Sequence, residues 1–313
     1  MRYYFAPLEG LTDSVYRRIH HKYFPGVDRY YTPFLSPTVH RALTAREMRE
    51  LPKADSVPFP VVPQILTKVP EDFLWLTQQC RELGYEEVNL NTGCPSGTVT
   101  AKGKGSGMLR ELDALDAFLD AVFSQAVLPV SVKTRIGFYE AEEFPAILEV
   151  FNRYPIKELT VHPRVRKDFY AAPVNMDAFR YALANSKNPL CYNGNLTTNA
   201  QIEAFSREFP QVEAVMLGRG LAADPGMLSG GTDAATLEAF CDALFETYSQ
   251  VFGSARNAMF RLKDNWRLLF CKFDGAEKLA KRLRKTTDAA EFLAVSHEIF
   301  RSCPIRAETN PDW

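Results

Sequence analysis

The sequence predicts an α/β protein, a closed parallel (β/α)8 TIM barrel followed by a small C-terminal helical domain. Three observations carry that reading. Eight short β-rich runs recur down the first 220 residues, segments of helical periodicity separate most of them, and no strand pattern follows the Ser-Gly-Gly at 229–231. An open doubly wound sheet would show the same alternation, so the count of eight decides for closure.

The runs lie at 3–8, 29–35, 60–66, 87–91, 129–135, 158–162, 189–193 and 214–218. Between them, stretches such as "EDFLWLTQQCREL" and "LDALDAFLDAVFSQ" space apolar residues three and four apart, as a helix with one buried face requires. The stretch after the second run, with Pro52, Pro58 and Pro60, fits neither pattern. The barrel is assigned to 1–232. Residues 233–313 read as a helical unit, because "TLEAFCDALFETYSQVF" and "AAEFLAVSHEIFRSC" both carry an apolar helical stripe.

Composition narrows the function classes. A hydrophobic fraction of 46% suits a globular core. No run approaches the roughly 20 apolar residues of a membrane span, and the opening "MRYYFAPLEG" shows no signal peptide, so a cytoplasmic protein without a membrane partner is expected. The six cysteines (80, 94, 191, 241, 271 and 303) form no C-x-x-C pair or Cys/His cluster. A zinc site or disulfide framework is therefore not expected. His20 and His21 read as part of an amphipathic surface helix rather than a metal site. Net charge is −1, yet residues 253 to 287 hold ten basic side chains against three acidic ones, a net of +7.

Barrel enzymes build their sites at the C-terminal ends of the strands. Here those ends are polar: Gln64, Asn89 and Asn91, Lys133 and Arg135, His162 and Arg164, and Asn193. The i, i+2 pairs project to one side of their strands, and so many polar ends at one rim point to a ligand. Lys133 is the most informative, since a buried lysine is costly without an anion. "NGN" at 193–195 and "GRG" at 218–220 follow strands seven and eight, where barrels often hold a phosphate. Gly194 and Gly218 would let the backbone approach it, and Arg219 would supply charge.

Cys94, in "NTGCPS", opens a loop carrying Gly97, Gly103, Gly105 and Gly107. From the residues alone it reads three ways: a small packed side chain before Pro95, a nucleophile activated by Lys102 and Lys104, or a general acid. Lys133 likewise admits a Schiff base.

"APLEGLTDSVYR", "NLNTGCPS", "VKTRIG", "VHPR", "NGN" and "LGRG", in that order, resemble the flavin-dependent tRNA-dihydrouridine synthase family. The resemblance spans residues 3 to about 225, and "N-x-G-C-P-S" is its most specific motif. It implies FMN at the barrel mouth, NADPH as the usual reductant with NADH open, and uridine in tRNA as substrate. By the same resemblance, Pro7 and Leu8 would lie beside the isoalloxazine ring. Gln64, Lys133 and His162 would contact its polar edge or tail, Asn193, Gly194, Asn195, Gly218 and Arg219 its phosphate, and Cys94 would donate a proton. Leu8, Asn89, Pro163 and Asn195 depart from the family pattern, where methionine, aspartate, glycine and aspartate are common.

Reduction of uracil adds a hydride at C6 and a proton at C5. A thiol of ordinary pKa is roughly 97% protonated at pH 7, which suits the second task. The glycines after Cys94 are expected to let its loop open and close. Asn91, Arg135 and Arg164 at the mouth, with Arg261, Lys281 and Arg284 in the basic window, are expected to face the RNA. Two rivals remain at this point: a flavin barrel acting on a free pyrimidine, akin to dihydroorotate dehydrogenase, and a flavin-bearing tRNA-binding protein that reduces nothing.

Overall fold

The computed structural model describes residues 1–38 and 40–309. In chain order its barrel elements are β1 (Arg2–Phe5), α1 (Ser14–Tyr23), β2 (Arg29–Tyr31), α2 (Ala45–Glu50), β3 (Val61–Val62) and β4 (Gln64–Ile65). Then come α3 (Pro70–Glu82), β5 (Val88–Thr92), α4 (Gly97–Thr100), α5 (Leu112–Phe123), β6 (Val130–Gly137) and α6 (Phe144–Phe151). The last are β7 (Leu159–Val165), α7 (Met176–Asn185), β8 (Leu190–Tyr192), α8 (Asn199–Glu208), β9 (Ala214–Leu217) and α9 (Arg219–Ala223).

All strand pairs are parallel, in the order β3-β2-β1-β9-β8-β7-β6-β5-β4. β3 and β4 are one strand split at Pro63, which has no N–H for the ladder. Its first half pairs with β2 (Tyr31 opposite Val62) and its second with β5 (Gln64 opposite Asn89). The nine segments thus fill eight staves and the ring closes, as expected. The second strand is shorter than its β-rich run, ending at Tyr31, and Leu35 rejoins the sheet through a single bridge to Ile65. The sixth is longer, running through Pro163 to Val165.

The helices form where the apolar stripe predicts. α3 starts with Pro70 in its first turn and buries Phe73, Leu76, Thr77 and Cys80 against the sheet. α1 is capped by the Asp13 carboxylate, which accepts from the Tyr16 N–H at 3.0 Å. Its His20 is buried rather than surface-facing. Burial drops its pKa to about 3, so the ring is neutral, with Nδ1 2.8 Å from the Tyr30 hydroxyl and Nε2 3.0 Å from the Pro225 carbonyl. A carbonyl only accepts, so Nε2 carries the hydrogen. Among the described residues no cluster could hold a metal, and no helix is long and apolar enough to cross a membrane.

The C-terminal helices are α10 (Ala234–Phe252), α11 (Ala255–Leu269), α12 (Glu277–Lys285) and α13 (Ala289–Ser302). α10 ends at Gly253, whose φ of 60° is the left-handed cap position. Phe240 packs its ring 5.7 Å from Tyr16 and 5.2 Å from Phe24, fixing α10 on α1. Two charged ties reinforce the contact: Arg261 reaches Asp13, which also accepts from the Tyr248 hydroxyl at 2.7 Å, and Lys272 donates to Asp224 at 2.6 Å. Lys272 and Trp266 are buried, so these two members of the basic, aromatic window serve packing rather than the surface.

Candidate active site

β5 delivers Cys94 to the mouth of the barrel, and a directional chain of side-chain hydrogen bonds positions it. The Asn91 carboxamide oxygen accepts the Gly93 and Cys94 N–H groups at 3.0 and 2.9 Å. Its NH2 donates to Gln64 Oε1, Gln64 Nε2 donates to Asn89 Oδ1, Asn89 Nδ2 donates to Ser131 Oγ, and Ser131 donates to Glu87 at 2.6 Å. A backbone N–H can only donate and a carboxylate only accept, so the two ends orient every amide between them.

The glycine loop folds over this thiol instead of hanging free. Gly105 has φ 58°, and a Cβ there would lie 2.9 Å from both Cys94 Cβ and Cys94 O. A Cβ on Gly107 would meet the Thr100 carbonyl at 2.9 Å. Ser106 closes the contact by donating its N–H and Oγ to Cys94 O at 3.1 and 2.8 Å. Gly105 thus provides close approach to Cys94, and Gly107 close approach to Thr100.

Cations gather on the adjacent strands. Burial and the neighbouring Arg135 pull Lys133 down to about 8, and burial brings Arg135 and Arg219 to about 10. Arg135 donates to the carbonyls of Gly93, Val165 and Phe169, and Arg164 donates to Ala172 O and Asn195 Oδ1. Burial, then Arg135 and Lys133, holds His162 neutral, its pKa far below the ordinary value. Arg164 Nη1 lies 3.1 Å from His162 Nε2; a guanidinium only donates, so the imidazole hydrogen sits on Nδ1.

Two cavities share the wall formed by Pro7, Leu8, Lys133, His162, Tyr170 and Arg219. One is a cleft of about 290 Å³ that reaches Gln64, Asn91, Cys94 and Arg135. The other runs under Arg164, Asn193, Gly194, Asn195 and Gly218. The mouth residues singled out in the sequence therefore meet at these cavities, except Asn89, which is buried beneath them in the amide chain. Arg261 lies half-buried at the helical contact, and Lys281 and Arg284 are exposed on α12.

The family model for dihydrouridine synthase matches residues 4–288. The chain belongs to this family. It is 27% identical over 312 residues to a probable tRNA-dihydrouridine synthase of Staphylococcus aureus (strain MRSA252), covering 94% of this chain and 91% of that protein. Over 225 residues it is 26% identical to tRNA-dihydrouridine synthase B of Pasteurella multocida (strain Pm70), covering 72% and 67%. Among solved structures, morphinone reductase matches with a TM-score of 0.52 at 14% identity, over 75% of this chain and 88% of that one. That likeness bears on the barrel fold alone.

A dihydrouridine synthase is a flavin-dependent oxidoreductase acting on uridine of tRNA. The free-pyrimidine and Schiff-base readings fall away with the family match. Two residues of this synthase's site escaped the sequence reading. Tyr170, its ring 4.2 Å under Arg219 and 5.5 Å from Arg135, lines both cavities. Arg267 comes from α11 to the rim of the Cys94 cleft. Neither sits at a strand end, and only the basic window hinted at Arg267.

Proposed function

We propose that the protein reduces a tRNA uridine to 5,6-dihydrouridine with FMN as flavin, NADPH as reductant and Cys94 as the proton donor to C5. The observation carrying this reading is the shared wall, which sets a cationic cavity against a cleft holding one buried-backbone thiol. The donor set fits FMN: Lys133, Arg164 and Arg219 around Asn195 and Gly218 suit a phosphate dianion, which offsets the burial that depresses their pKa values. Pro7 and Leu8 offer an apolar side to a ring, and Gln64 and His162 Nδ1–H offer polar contacts at its edge. When bound, FMN supplies the hydride for C6.

The chain's own part is acid catalysis and positioning. Burial raises the Cys94 pKa, which outweighs the opposing pull of Lys133 and Arg135, so the thiol stays protonated through neutral pH. A thiol raised by burial carries little thiolate at neutral pH, which disfavours an activated nucleophile. Once the proton has left for C5, Lys133 and Arg135 stabilise the thiolate until solvent reprotonates it. Asn91 and Arg135 are assigned to the uracil side of the mouth; Arg164, expected there from the sequence, lines the cavity under Asn195 instead and is assigned to the flavin. The exposed Arg256, Lys278, Lys281, Arg284 and Lys285 are assigned to tRNA phosphates. The residues from 233 onward would act as the RNA-gripping unit while the uridine leaves its stack to enter the cleft.

The test incubates protein, NADPH and unmodified tRNA, with wild type beside Cys94→Ala, and reads digested nucleosides by mass spectrometry. Dihydrouridine from wild type, with the variant slower by about 10²- to 10⁴-fold and still yellow, is the expected result. Equal product from both removes Cys94 from its role. No product from either, with tRNA still bound, favours the non-reducing tRNA-binding protein.

A further inference from the structure

Beside the thiol, a ladder of rings and guanidinium groups stands outside both cavities. The Arg166 guanidinium lies 5.5 Å from the Phe138 ring centre and 5.3 Å from that of Phe169. Arg110 covers Phe138 at 5.0 Å, and Tyr139 meets the Phe138 edge at 4.7 Å and 76°. Arg166 Nε also donates to the Pro95 carbonyl at 3.2 Å, so the ladder is anchored on the residue after Cys94. Its outer rings face water: Tyr139 is 57% and Phe169 44% exposed.

A scattered exposed ring needs no explanation. Phe169 is different, because its backbone sits at φ 47° and ψ −96°, a region bulky residues avoid. The buried Arg135 holds it there, donating to the Phe169 carbonyl at 2.6 Å. A buried arginine at the floor of the Cys94 cleft thus keeps an apolar ring turned out at its rim.

We propose that Phe169, Arg166, Phe138 and Tyr139 form a stacking platform for the unpaired nucleotides that flank the target uridine. This rests on the tRNA reading above. A uridine that leaves its stack strips its neighbours of a stacking partner. Aromatic faces and guanidinium planes replace that partner for any base, and the two arginines match the phosphodiester charge. The alternation of ring and cation, rather than a continuous apolar patch, favours nucleic acid over a protein surface. The platform holds bases next to Cys94 while the basic helices hold phosphates elsewhere, so it acts on register rather than on overall affinity.

A double-mutant cycle tests this. Wild type first identifies the reduced uridine in unmodified tRNA. Phe169→Ala, Phe169→Trp and wild type are then compared on that transcript and on transcripts abasic at the nucleotide 5′ or 3′ of the target, reading KM and kcat for dihydrouridine with flavin content as a check of folding. On intact tRNA, Phe169→Ala should raise KM by about 5- to 100-fold with kcat little changed, the range of one lost base stack, and Phe169→Trp should restore it. On one of the abasic transcripts the Phe169→Ala effect should shrink below about 2-fold, because the base is already missing. Equal losses on all transcripts, failure of tryptophan to rescue, or no loss on intact tRNA would overturn the platform while wild-type reduction stood. Absence of dihydrouridine from wild type would instead overturn the functional reading, and the platform with it.

Discussion

At the floor of the barrel, Arg29 reaches Glu87 at 3.2 Å, Lys157 reaches the same carboxylate at 2.7 Å, and the Tyr4 hydroxyl donates to Glu158 at 3.1 Å. At the mouth, Lys133, Arg135 and Arg164 converge without any carboxylate in ion-pair distance among the described residues; burial lowers all three, and Tyr170 and the more distant Asp168 pull Arg135 and Arg164 the other way. Both ends enclose charge, yet only the floor encloses the counter-charge. Floor charges hold the closed ring together, whereas mouth charges lack a carboxylate of their own, a balance that the proposed FMN phosphate would supply. A chain of amides from Glu87 to the Cys94 N–H connects the two regimes.

The largest effect on stability should come from breaking the floor. Glu87→Ala leaves Arg29 without its carboxylate and removes the acceptor that orients Ser131, and it should lose roughly 3–5 kcal/mol in urea denaturation, as for other half-broken buried pairs. A loss under about 1 kcal/mol would erase the distinction between the ends. The opposite sign is expected at the mouth. Lys133→Met should stabilise the flavin-free protein by roughly 2 kcal/mol while weakening flavin retention at least tenfold.

The pH dependence sharpens that contrast. Folding lowers Lys133 from 10.5 to about 8, so between those values the unfolded chain binds the extra proton. Wild-type stability should therefore rise as pH climbs from about 7 to about 10, and the Lys133→Met variant should lack that rise in thermal melts of the flavin-free protein. A lysine contribution that fell with pH would place Lys133 in a stabilising ion pair, like the floor.

The mouth was legible because strand ends announce themselves: Asn89 and Asn91, Lys133 and Arg135, His162 and Arg164 are polar pairs two apart where a core strand should stay apolar. The floor was not. Glu87 and Glu158 drew no reading from the sequence, because their partners Arg29 and Tyr4 lie 58 and 154 residues away, a separation that leaves no local signal. Arg261 read as RNA-facing, and Lys272 as one more cation of the basic window, for the same reason, since Asp13 and Asp224 draw them inward from distant segments. Gly105 was visible, but its close approach to Cys94 was not, because a close approach and a hinge ask for the same residue. Phe169 carried no pattern at all; its exposure follows from a carbonyl clamp by Arg135, 34 residues earlier.

The central claim, that the mouth cations are built for an anionic flavin, is tested most directly by calorimetric titration of FMN into flavin-free protein at pH 8 in two buffers of different ionisation enthalpy. A phosphate dianion beside Lys133 should restore the lysine's charge, so binding should take up about half a proton, and Lys133→Met should take up nearly none. Binding without proton uptake, or uptake unchanged in the variant, would contradict the account.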